Sequence, residues 1–432
     1  MKRSSDKSIS SRLSNLLKLI ACVFAVHAFS GCSLNELLFE GRMSTWDPKG
    51  PIAEMQLEVF WATIWVTFIL FILVAGSLFY AVWKFRETPE NKDEPMAPVG
   101  HGNPLIEVGL IAGSVLMLVF IAVPTVQGIW YQHSLPEDSA EYEERYGDYE
   151  NNLLANWYEG EIAEGEDEEV LTIKAYGWQW WWSFEYPQLD GVVTANELVI
   201  PKGKVVKIEL RSKDVIHSFW LPKIAGKVDL MPGRVNWMWI QADEPGYYYG
   251  QCAEYCGDSH AYMLFRAEVV EPEDFTQWIA HQKREIPAPE GFETWGAWNG
   301  AAFNNPEIAD TDYLKGALAY MQKGNCAMCH NINGVSMGKI APDLTNIKDR
   351  KSLAAGWMEN VTEDGEVDKE VQYDNLVEWI YHSEDVKPGN LMYYPASGLK
   401  NIIHPEDEDG NPLPPRLTKE DVEYIATFLQ QI

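Results

Sequence analysis

Two stretches without a single charge, Val59 to Trp83 and Val108 to Trp130, constrain the fold of this chain before any other feature does. A membrane span needs about 20 consecutive apolar residues, and these runs hold 25 and 23. They predict a transmembrane helical hairpin over residues 53–131, with helices at about 59–83 and 108–130. Lys84 and Arg86 follow the first run directly, so the connecting loop belongs on the cytoplasmic side. Everything flanking the hairpin then lies outside. Trp61, Trp83 and Trp130 suit the aromatic belts at the two interfaces.

The chain has 432 residues and a formal net charge of -30. That length suggests several units, and the charge has the wrong sign for a nucleic-acid binder. Residues 1–31 carry basic residues, then an apolar stretch, and end in Ser30-Gly31 before Cys32. This is the order of a secretory signal. The small residues before Cys32 resemble a bacterial lipoprotein cleavage site, which makes Cys32 a candidate for lipidation; Phe29 stands where such sites usually carry leucine. Beyond the hairpin, residues 132–169 are acidic: from Glu137 to Glu169, fourteen acids face one Arg145. Such a run reads as a solvated segment.

From Val170 the character changes to short β-rich runs separated by Gly, Pro, Asp and Asn, the pattern of an antiparallel sandwich or barrel over residues 170–279. Within it lies Gly250-Gln-Cys-Ala-Glu-Tyr-Cys-Gly-Asp-Ser-His-Ala-Tyr-Met263, with His217 on an upstream strand. Cys252, Cys256, His260 and Met263 with His217 form a soft sulfur and nitrogen donor set. Thiolate and thioether favour copper over hard cations, and imidazole suits copper or zinc. One cysteine with two histidines and a methionine would make a single-copper centre, whereas two thiolates can bridge two coppers. The bland alternatives for a C-x3-C pair are a disulfide or half of a zinc site.

Residues 280–311, with Pro287, Pro289, Pro306 and several glycines, read as a linker. Past it, Asp312 to Lys323 has helical spacing and leads into Cys326-Ala-Met-Cys-His330. C-x-x-C-H is the attachment signature of covalent haem c, with two thiols for the vinyl groups and a histidine for iron. Apolar positions at Val422, Ile425, Ala426 and Leu429 predict a closing helix packed on the first one of an all-α domain, 312–432.

His217-Ser-Phe-Trp-Leu-Pro222, Met231-Pro-Gly-Arg234 and Gly246-Tyr-Tyr-Tyr-Gly-Gln-Cys-Ala-Glu-Tyr-Cys256 closely resemble subunit II of cytochrome c oxidase. The resemblance covers roughly Ala53 to Trp278 and implies a cupredoxin fold carrying a dinuclear copper centre, CuA. Its ligands would be His217, Cys252, Cys256, His260, Met263 and the Glu254 carbonyl. The Glu254 side chain would reach toward a magnesium at the boundary with subunit I. In Gly177-Trp-Gln-Trp180 the family places Trp180 on the surface over the coppers, where electrons enter; Trp178 departs from the histidine or tyrosine usual there. Asp229 and Arg234 would support the onward path, and Glu107, spaced as in His101-Gly-Asn-Pro-Leu-Ile-Glu107, would stand at the mouth of a proton path into subunit I.

Residues 312–432 are similar to small c-type cytochromes. That likeness makes Met392 the second iron ligand, with Met337, Met358, His382 and His404 as competitors, and gives Pro342 the task of supporting His330. Together the two likenesses imply a fused subunit II of a haem-copper oxygen reductase in the bacterial cytoplasmic membrane. Electrons would run from an upstream donor through haem c to CuA and on to the haems of subunit I, where oxygen is reduced and protons are pumped. The rivals are the same relay serving a nitric oxide reductase, and a copper-handling protein, which has no need of His260, Met263 and Trp180 together.

Overall fold

The computed structural model describes residues 39–89, 92, 100, 102–135, 170–362, 364–394, 398–407 and 409–432. The leader with Cys32, His101 and the acidic run 137–169 lie outside the described residues. Two long helices, α1 (Pro51–Lys84) and α2 (Pro104–His133), contain the two uncharged runs. At 1.5 Å per residue each exceeds the roughly 30 Å of hydrocarbon it would cross. Their most apolar windows have mean hydropathies of 2.3 and 2.5 and are almost wholly exposed, as helices solvated by lipid would be. Both helices start earlier than the apolar runs because a proline occupies the first turn of each, where its missing N–H costs nothing. The Asn103 side chain caps α2 by accepting from Leu105 N at 3.0 Å. The hairpin ends against the β domain: the rings of Tyr131 and Trp239 meet edge to face at 5.3 Å.

Residues 171–270 form two five-stranded sheets. The strands are β1 (Leu171–Trp178), β2 (Trp181–Tyr186), β3 (Val192–Ala195), β4 (Glu197–Pro201), β5 (Val206–Ser212), β6 (His217–Trp220), β7 (Lys227–Leu230), β8 (Asn236–Ile240), β9 (Gly246–Cys252) and β10 (Leu264–Val270). One sheet has the order β3-β2-β1-β5-β8 and the other β4-β10-β9-β6-β7, a cupredoxin-like sandwich. The alternation of buried and half-buried residues along β1 is the period-2 pattern of a strand with one face in a core. The sheets are mixed rather than purely antiparallel, since β1 pairs with β5, and β4 with β10, in parallel. Turn residues in the sequence reveal hairpins such as β9–β10; they say nothing of partners brought in from a distance. Trp182, Phe184, Phe219 and Phe265 fill the space between the sheets, the last two stacked at 4.6 Å.

Helix α3 (Pro272–Gln282) lays Phe275 and Ile279 on this core. The stretch 280–311 is more than the linker its composition suggests. It contains α4 (Trp295–Asn304), capped by the Thr294 side chain, which accepts from Ala297 N. Trp295 and Trp298, three apart on one face, are both 1% exposed in a second core. Prolines and glycines at its ends disguise a helix whose two indoles bury a large apolar area.

That second core is completed by α5 (Asp312–Leu318), a widened turn Ala319–Lys323, α6 (Lys369–Tyr381) and α7 (Lys419–Leu429). Helix α7 begins with a capping box between Thr418 and Asp421. It crosses α5 at Gly316, where an added Cβ would stand 2.0 Å from the Tyr424 carbonyl oxygen. Backbone cannot yield there as a side-chain tip would. Gly316→Ala is therefore expected to destabilise this domain by about 1–3 kcal/mol, read as a lower midpoint in thermal unfolding of the purified chain; an unchanged midpoint would refute the crossing.

Candidate metal centre

The candidate ligands arrive from three directions. Strand β6 opens with His217, β9 closes on Cys252, and the loop that follows returns as β10 immediately after Met263. The backbone knits these pieces together: Cys252 N donates to the Met263 carbonyl at 2.9 Å and Ala253 N to the Ser218 carbonyl at 3.0 Å. The two sulfurs lie 3.8 Å apart, far beyond the roughly 2.05 Å of a disulfide, and both cysteines are free. Around them, Cys252 Sγ is 3.9 Å from His217 Nδ1 and 3.2 Å from the Glu254 carbonyl oxygen. Cys256 Sγ is 3.5 Å from His260 Nδ1 and 3.8 Å from Met263 Sδ. All six atoms expected to hold copper thus converge on one spot, while the Glu254 side chain is exposed.

This donor set fits a copper pair. His217 and Met263 are fully buried, and the two cysteines are at most 4% exposed, so water has little access. Its contact with Cys256 draws the Cys252 thiol down to about 4, against the opposing effect of burial. The same contact and burial push Cys256 up, because two thiolates so close repel unless cations lie between them. His217 turns its other nitrogen, Nε2, to Asp214 Oδ1 at 2.7 Å. Burial alone would raise the Asp214 carboxyl; hydrogen bonds from His217 and the Gln179 and Val215 amides hold it below the ordinary carboxylate range. A carboxylate of this kind fixes the orientation of a ligating imidazole. Asp214→Asn is accordingly expected to weaken copper binding by roughly 10- to 100-fold, checked by copper competition against a chelator; undiminished affinity would remove Asp214 from the centre.

Gln179 and Trp180 also support the loop, both donating to the Cys256 carbonyl, at 2.8 and 2.9 Å. Sequence reasoning missed Asp214 and Gln179. Their only signal is position: Asp214 stands three residues before His217, and Gln179 lies inside the tryptophan cluster. Trp180 departs from expectation more strongly. It is not a surface residue but 7% exposed, because the Lys387-Pro388-Gly389 loop of the C-terminal domain lies over it. Asp229 stands opposite Ser218 on β7, next to His217, and Arg234 is exposed. Glu107 lies exposed in the first turn of α2.

In the C-terminal domain the Cys326–His330 motif follows the widened turn. Cys326 and Cys329 are free, and burial pushes the Cys326 thiol up to about 12. His330 Nδ1 lies 2.7 Å from the Pro342 carbonyl oxygen, which leaves Nε2 for a metal. Within and after the motif, Met328, Met337 and Ile340 expose 71%, 86% and 68% of their surface, an apolar rim suited to a flat hydrophobic group. These features fit haem c. Met392 is half-buried against the second core, in a turn where Asn390 Oδ1 accepts from the Met392 and Tyr393 amides, both at 3.1 Å. Of its competitors, His404 Nε2 is engaged with the Tyr381 carbonyl at 3.1 Å and His382 sits 3.7 Å from Asp385. Met337 is largely exposed, and Met358 lies half-buried on a short strand pair.

The sequence profile of a family described as cytochrome C oxidase subunit II, periplasmic domain, matches residues 190–270. Cytochrome c oxidase subunit 2 of Alkalihalophilus pseudofirmus is 28% identical over 399 residues, 92% of this chain and 93% of that protein. Cytochrome c oxidase subunit 2 of Bacillus subtilis is 25% identical, covering 81% and 85%. Among solved structures, the periplasmic domain of subunit II of cytochrome oxidase of Bradyrhizobium japonicum is 36% identical over 28% of this chain and 97% of that one, with a TM-score of 0.26.

Proposed function

The chain belongs to the cytochrome c oxidase subunit II family, and on that premise we propose that it receives electrons for a bacterial haem-copper oxygen reductase and carries them inward. The route runs from an upstream donor to the C-terminal domain, across Trp180 to the Gly250–Met263 loop, and on to subunit I, where oxygen is reduced and protons are pumped. The observation that carries this reading is the convergence of two imidazole nitrogens, a thioether and a backbone carbonyl about two unbonded sulfurs 3.8 Å apart. A single-copper site has no need of the second thiol, and a copper-handling site that binds through the C-x3-C pair has no need of His260, Met263 and Trp180 together.

His217, Cys252, the Glu254 carbonyl, Cys256, His260 and Met263 would hold two coppers, and Cys326, Cys329, His330 and Met392 would hold haem c. The pair supplies a carrier that shares one electron between two metals, and the haem supplies a one-electron iron. The residues supply rigidity and dryness. Asp214 holds the His217 ring, Gln179 and Trp180 hold the Cys256 carbonyl, and two sheets fix the strands that present the ligands. A centre that cannot rearrange when its charge changes passes electrons with little reorganisation. Pro342 holds the His330 ring in the same way.

The remaining assignments belong to the same proposal. Glu254 would face a magnesium at the subunit I boundary, with Asp229 and Arg234 beside the onward path. Glu107 would feed a proton path at the cytoplasmic side, and a lipid on Cys32 would add an anchor to the hairpin. The copper and haem domains would stand on the outer face of the cytoplasmic membrane. A test is to supply the purified complex with a reduced cytochrome and measure oxygen and nitric oxide consumption separately. Rapid oxygen uptake is expected; nitric oxide consumption without oxygen uptake would point to the rival reductase.

A further inference from the structure

The C-terminal domain touches the copper loop through the loop at Lys387 and the turn at Ala355. Lys387 is 3% exposed, and its Nζ donates to three carbonyls from three separate segments: Trp180 at 2.5 Å, Tyr262 at 3.0 Å and Ala354 at 3.3 Å. No carboxylate lies within ion-pair distance of it among the described residues. A buried amine costs stability unless its donors are satisfied, and here two of the three acceptors belong to the other domain. Beside it, the Ser259 hydroxyl donates to the Pro388 carbonyl at 2.5 Å. Gly389, at φ +78, lies so close to Trp180 that a Cβ would stand 3.0 Å from the indole ring.

A second set of contacts lies on the other side of Met263. Ala354, Ala355 and Gly356 are consecutive residues at φ 51, 61 and 77, a conformation alanine rarely adopts and one that persists only where its surroundings enforce it. The turn offers three successive carbonyls: Ala354 to Lys387, Ala355 to the Leu264 amide at 3.1 Å, and Gly356 to Arg266 Nη2 at 2.5 Å. Trp357 follows, its ring 4.4 Å from that of Tyr262. Both neighbours of Met263, Tyr262 and Leu264, are thus hydrogen-bonded to groups of the C-terminal domain.

We propose that Lys387 is a positioning residue that locks the C-terminal domain onto the copper loop, so that the Trp180 face is covered by this chain's own cytochrome-like domain and closed to soluble donor proteins. A soluble donor must then reduce the C-terminal domain rather than the copper loop. This last consequence rests on the relay proposed above, whereas the lock itself does not.

The test is hydrogen exchange on the full chain loaded with copper and haem. The Leu264 amide reports docking directly, since its acceptor is Ala355 across the contact. Lys387→Met is expected to speed its exchange roughly tenfold, the effect of losing hydrogen bonds across the contact. Copper content, covalent haem and protection of α5 and α7 should stay as in the natural chain. Trp357→Ala, which touches Tyr262 from the partly exposed side, should act in the same direction and serves if Lys387→Met does not fold. Natural exchange at Leu264 in a folded variant overturns the lock. Failure of the relay would show differently: rapid reduction of the haem in the natural chain would not be followed by reduction of the copper, whatever the exchange rates.

Discussion

Replacing Cys256 by serine is expected to leave at most one copper per chain and to lower oxygen uptake by the complex to background. Cys256 Sγ is the shared neighbour of three other donors: Cys252 at 3.8 Å, His260 at 3.5 Å and Met263 at 3.8 Å. A hydroxyl in its place is a hard donor that stays protonated, so it neither bridges two soft cations nor neutralises them. His217 and Cys252 remain, and they are enough for one metal. The C-terminal motif lies in a different core, so covalent haem should be retained in the same preparation. Metal analysis together with an oxygen electrode decides the matter; two coppers per chain in the variant would show that Cys256 is not a bridge.

The converse substitution, Cys326→Ser with Cys329→Ser, is expected to remove covalent haem and leave the copper content unchanged. Haem that stays with the chain after denaturation is the readout, and persistence of that signal would contradict the attachment. Electron input from a cytochrome donor should fall to background, while a small chemical reductant should still reduce the copper loop. The C-terminal domain should also lose stability, because a group that binds only the folded state adds its binding energy to folding.

Sequence reasoning goes furthest where a residue's chemistry alone restricts its use. An uncharged run of 25 residues has few fates besides a membrane helix. A clustered set of two thiols, two imidazoles and a thioether has few besides a soft metal, and these five donor atoms do meet, with the Glu254 carbonyl beside them. It goes less far where the deciding partner is distant in the chain. The parallel pairings β1–β5 and β4–β10, the Asp214 support under His217 and the burial of Trp180 all depend on contacts that local periodicity does not encode. The segment 280–311 shows the same limit in miniature. Its prolines and glycines read as a tether, yet Trp295 packs on Tyr313 and on Phe428 far along the sequence, with Trp298 buried beside it. Lys387 is the extreme case, since nothing in Val386-Lys-Pro-Gly389 separates a buried amine from a solvated one.

The most direct test of the central claim is electron paramagnetic resonance on the purified full chain, with copper and haem quantified in the same sample. Two coppers and one haem per chain, with a copper signal from a single unpaired electron shared by both metals, are predicted. One copper per chain with the spectrum of an isolated ion would contradict the dinuclear centre, and with it the route from the C-terminal domain to subunit I.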